Sequence, residues 1–64
     1  MIINNTVINK QLTKEIFNNN FKGYLQQDES SNLFKLKSPV KIEGLEFWAD
    51  FNFKNNILES LKLS

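Results

Sequence analysis

Leu45-Glu46-Phe47-Trp48-Ala49-Asp50-Phe51-Asn52-Phe53 alternates apolar and polar side chains almost without interruption. Successive residues of a strand face opposite sides of a sheet. The pattern therefore predicts a strand with Leu45, Phe47, Ala49, Phe51 and Phe53 toward a core, and Glu46, Trp48, Asp50 and Asn52 away from it. Upstream, the same strand is expected to begin near Val40 or Ile42. Gly44 breaks its parity: Ile42 and Leu45 share a face only across a bulge, and glycine suits one.

Downstream, Lys54-Asn55-Asn56-Ile57 reads as a turn, because Asn tolerates positive φ. A third strand, 58–63, then returns. With Asn55-Asn56 as a two-residue turn, Phe53 faces Leu58. Strict pairing from there would set Phe51 against Ser60 and Ala49 against Lys62, placing a lysine on the core face. An extra residue at Glu59-Ser60 avoids this, and a β-bulge is predicted there, carrying Leu61 opposite Ala49 and Leu63 opposite Phe47.

Ahead of these strands, 33–37 also alternates, with Phe34 and Leu36 on one face and Lys35 and Lys37 on the other. Ser38-Pro39 ends it, since proline has no N–H for a central ladder. Residues 26–32 are a polar loop. Residues 13–21 read as a helix with Thr13 as N-cap and Glu15 in its first turn. Leu12, Ile16, Phe17, Phe21 and Tyr24 recur at spacings of three and four and form its apolar face. Asn18-Asn19-Asn20 weakens the helix and Gly23 stops it. Residues 1–9 read as a short strand broken near Asn4-Asn5. The expected fold is a single α+β domain over 1–64, a short N-terminal helix packed on a three- to four-stranded antiparallel β-meander. Its outer face would carry Lys35, Lys37, Glu46, Trp48, Asp50, Asn52 and Lys62.

Composition narrows the chemistry. The 64 residues include no Cys and no His, which removes disulfides, thiolate and imidazole metal ligands, and the commonest general base. Net charge is +1, and every basic residue is Lys. Balanced charge without arginine's bidentate fork weighs against a nucleic-acid partner. No apolar run is long enough for a membrane helix, and Met1-Ile2-Ile3-Asn4-Asn5 lacks the basic and apolar regions of a signal peptide. A cytoplasmic protein without a membrane partner is expected, with Met1 as an authentic start. The high Asn content, ten residues, reads as compositional bias.

Carboxylate pairs perform acid–base chemistry when their surroundings split their pKa values. Glu43, Glu46 and Asp50 are the only acidic cluster that invites the comparison, and they read as a solvated strand face. Their spacing matches no calcium loop. No catalytic residue, metal ligand or cofactor is therefore assigned, and no enzymatic activity is expected. Trp48 stands out because it occupies a polar position of its strand. Tryptophan is enriched at binding hot spots. The sequence thus points to a small non-enzymatic protein-binding module, an inhibitor, immunity-type protein, phage antagonist or adaptor, with Trp48, Glu46 and Asp50 as the partner-binding residues. The alternatives are a self-assembling homodimer subunit, paired through an open sheet face or edge, and a single-stranded nucleic-acid binder using Lys35, Lys37 and Lys62.

Overall fold

A computed structural model describes residues 1–26 and 32–64 of the chain; of the expected polar loop, 27–31 lie outside them. The chain begins with a hairpin, β1 (Ile2–Ile3) and β2 (Thr6–Val7). Helix α1 (Lys14–Asn20) follows. Then come β3 (Leu33–Lys35), β4 (Val40–Ile42), β5 (Leu45–Phe47), β6 (Ala49–Lys54) and β7 (Ile57–Leu63). The protein is α+β, as the sequence implies. Its strands form several small antiparallel sheets, of which the largest has the order β3-β6-β7.

The single meander is corrected. The long strand expected from Val40 to Phe53 is a hairpin, β4–β5, followed by a separate strand, β6. The reason is local. Glu43 and Gly44 both have positive φ, 51° and 84°, and Ile42 pairs with Leu45. Two successive positive-φ residues define the tight hairpin turn whose twist matches its strands. The glycine therefore reverses the chain where a bulge was expected. Strict alternation toward the core holds for Ala49, Phe51 and Phe53, all buried, and fails for Leu45, which is exposed.

The same turn chemistry recurs at Asn4-Asn5 (φ 53° and 60°) between β1 and β2, and at Asn55-Asn56 (φ 53° and 66°) between β6 and β7. Asn is among the few residues that adopt this conformation readily. Four of the ten Asn residues thus hold hairpin turns. The N-terminal strand is not merely broken at Asn4-Asn5; it folds back on itself, with Ile2 opposite Val7 and Ile3 opposite Thr6.

In the main sheet the turn sets Phe53 opposite Leu58, and a register shift follows at once, with Asn52 opposite Ser60. Glu59 is the extra residue, so the predicted bulge is present. Its consequence is corrected by two positions: Leu61 faces Phe51 and Leu63 faces Ala49, while Phe47 pairs with Val40 in the other hairpin. Beyond the bulge Leu61 and Leu63 keep the core parity and Lys62 the outer one. Deleting Glu59 should accordingly restore regular alternation from Leu58 through Ser60 to Leu61. The expected outcome is a folded protein with unchanged pairing from Asn52–Ser60 onward, read from backbone amide NOEs. The lost Lys54–Glu59 ion pair, 4.0 Å long and solvated, contributes little. A collapsed or reshuffled sheet would show that the bulge itself is required.

Helix α1 forms where expected. Thr13 is extended (φ −86°, ψ 155°), and its Oγ1 accepts the Ile16 N–H at 3.2 Å. Such a cap is worth about 1 kcal/mol. Phe17 is fully buried at the centre of an aromatic cluster, with ring centroids 4.5 Å from Phe21, 4.7 Å from Phe51, 5.1 Å from Phe53 and 5.4 Å from Phe34. Leu12 and Phe21 are also buried, but Ile16 and Tyr24 are not, which narrows the apolar face read from the sequence. Ile3, Ile8, Leu36 and Leu58 complete the core.

Backbone pairing ties the helix to both sides of the sheet. Leu58 N–H donates to the Leu12 carbonyl and Lys14 N–H to the Asn56 carbonyl, both at 2.9 Å. Across the molecule, Gln26 N–H donates to the Lys35 carbonyl (2.8 Å) and Lys37 N–H to the Tyr24 carbonyl (2.9 Å). Gly23, at φ 87°, makes the turn that lets Tyr24–Gln26 run back along Lys35–Lys37.

Candidate functional site

Trp48 lies at the joint between β5 and β6. Its backbone is fixed: Trp48 N–H donates to the Ser64 carbonyl at 2.8 Å, and Ser64 N–H donates back to the Trp48 carbonyl at 2.9 Å. Its side chain is 48 % exposed. Ile2 and Val7, the candidates to cross an open sheet face, are exposed themselves, while Ile3 and Ile8 enter the core. The N-terminal hairpin joins neither of the other two sheets.

The two acids expected beside Trp48 fall in different sheets. Glu46 is on β5, exposed and opposite Lys41. Asp50 is on β6, half-buried, flanked by Lys35 on β3 and Lys62 on β7. The single strand face that grouped them in the sequence is interrupted at Trp48, so they stand on either side of the β5–β6 joint. Asp50 sits between two lysines in one cross-strand row, and that row carries a net positive charge. Lys37 stands outside it, beyond the end of β3. Glu43, the third acid, occupies the β4–β5 turn.

Among the described residues no three Asp or Glu side chains gather as a metal site would require, and no helix is long and apolar enough to cross a membrane. No buried side-chain nitrogen or oxygen there lacks a hydrogen-bond partner. Thr6, the one buried polar residue among those described, donates through Oγ1 to the Asn4 carbonyl at 3.1 Å and so braces the first hairpin turn.

Of two further surface features, the first was not legible in the sequence, and the second, an open strand edge, was expected from it. One is a groove between the N-terminal hairpin, the end of α1 and the start of β4. The other is the outer edge of β7. The reciprocal Trp48–Ser64 bonds fix the ladder's phase, because hydrogen-bonded pairs alternate along an antiparallel ladder. Lys62 and Ser60 therefore direct their main-chain groups toward β6, while Leu61 and Leu63 direct theirs outward. Leu12–Lys14 covers the strand's beginning, at Ile57–Leu58. Among the described residues no strand pairs with the remainder.

Compared with known proteins, the chain matches no family model, and neither a curated protein nor a solved structure matches it significantly.

Proposed function

We propose that the protein is a non-enzymatic binding module that acts by occupying a partner protein's surface, with Trp48 as its anchor. The observation that carries this is the half-exposed indole on a backbone held by two hydrogen bonds to Ser64. A rigid aromatic anchor loses little conformational freedom on binding, and its apolar area remains to be buried. Glu46 and Asp50, on either side of the joint, supply the rim, where charges set orientation and partner choice more than affinity. The test is parallel capture from the native host extract with wild-type protein and Trp48→Ala as baits. A partner held by the wild type and lost by the variant supports the reading; a partner held equally by both contradicts it.

A second copy of the chain is the alternative partner, favoured by the outward main-chain groups of Leu61 and Leu63. Edge strands pair readily with strands of other chains, and the charges of Glu59 and Lys62 give β7 partial protection. Self-pairing predicts a melting temperature that rises with protein concentration. A melting temperature constant over a hundredfold dilution, roughly, would rule it out, since pairing linked to folding must follow mass action.

A further inference from the structure

We infer that the groove beside Tyr24 is a binding site for a small amphipathic anion, an aromatic or aliphatic body carrying one sulfonate, carboxylate or phosphate group. Its volume is about 440 Å³, within the span of small-molecule sites. Its floor is apolar and buried: Ile3, Phe21 and Leu36 are each at most 5 % exposed. Its rim is different. Ile2 and Tyr24 stand 69 % and 57 % exposed over it, giving a ligand's rings or chain two large apolar walls.

The polar groups around this floor are biased to one sign. Among the described residues, the charged side chains that line the groove are Lys37 and Lys41, and neither forms an ion pair with a described residue. Glu46 lies across the hairpin from Lys41 but more than an ion-pair distance away. The hydroxyls of Tyr24 and Ser38 add donors without a described partner, whereas the Asn4 amide is already committed to the Asn20 carbonyl at 2.9 Å. An apolar floor with two ammonium groups and two hydroxyls at its lip matches a molecule that is greasy at one end and anionic at the other. Trp48 is not part of this lining, so the site is separate from the proposed protein-binding surface.

The probe is anilinonaphthalene sulfonate, and its control is phenylnaphthylamine, the same rings without the charge. Binding is followed by fluorescence and mapped by amide chemical shifts on the full chain. The sulfonate should saturate one site, with shifts concentrated at Gly23, Tyr24, Leu36, Lys37 and Lys41. Lys37→Gln combined with Lys41→Gln should weaken it by about tenfold and leave the neutral analogue's affinity unchanged. Lys10→Gln with Lys62→Gln, equal in charge but outside the groove, should have no such effect. All four lysines are exposed, so folding is preserved and is verified by an unchanged amide spectrum. Shifts centred elsewhere, absence of saturation, or equal loss in the two double variants would overturn the assignment.

Discussion

Phe17→Ala should leave the chain largely unfolded. The ring touches four other phenylalanines and is wholly buried. Truncating such a residue costs about 3–5 kcal/mol, a transfer loss plus an unfilled cavity. A domain of 64 residues has a total stability of only roughly 3–10 kcal/mol, with no disulfide to hold it together. The expected result in urea or thermal denaturation is therefore loss of most or all of the cooperative transition. Ile16→Ala, one position earlier on the same helix, is the matched control. Its side chain is 48 % exposed, and its loss should change stability by no more than about 0.5 kcal/mol. Equal effects from both substitutions would mean that the helix docks by a different face.

Trp48→Ala should do the opposite. Stability should fall by less than about 1 kcal/mol, because the indole is half in water and its backbone bonds to Ser64 survive truncation. Binding to the partner should weaken by at least about 2 kcal/mol, roughly thirtyfold in Kd. The separation of the two effects is the informative result, read from denaturation and from a titration of the captured partner. A variant that unfolds would assign Trp48 a structural role. A variant that folds and binds normally would remove it from the interface.

Much of this molecule was legible in residue pattern alone, and the exceptions have physical causes. The Asn55-Asn56 turn followed from asparagine's tolerance of positive φ and set Phe53 opposite Leu58, and the Glu59 bulge followed from the cost of placing Lys62 in the core. Thr13 marked the helix start because capping is a local requirement, whereas the helix ends at Asn20 with Phe21 as its C-cap, ahead of the expected stop at Gly23, whose positive φ turns the chain beyond it. The β4–β5 hairpin was missed because the break of parity at Gly44 was read as a bulge; a two-residue reversal at Glu43-Gly44 and a bulge produce nearly the same string of letters. The N-terminal hairpin was missed although Asn4-Asn5 carries the signal used correctly at Asn55-Asn56, an Asn-Asn pair that readily adopts the positive φ of a two-residue turn. Ile16 and Tyr24 satisfied helical periodicity yet stayed outside, since a helix as short as Lys14–Asn20 covers only a narrow stripe of sheet.

The candidate site followed the same division. Trp48 was singled out because a large aromatic occupied a polar strand position, and its exposure fits that parity. Its grouping with Glu46 and Asp50 assumed one continuous strand, which the β5–β6 joint interrupts. The groove could not be read at all. Its lining gathers residues 2–4, 21, 23–24 and 36–41, and no spacing rule links segments that meet only through the tertiary fold.

The central claim is that Trp48 offers an open indole on a folded, uncovered surface, and the emission maximum of this single tryptophan tests it most directly. Across a micromolar concentration series in native buffer, a red, water-like maximum that does not change with concentration is the expected result. A blue maximum, whether constant or deepening as concentration rises, would show the indole buried by the chain or by a second copy, and would contradict the claim.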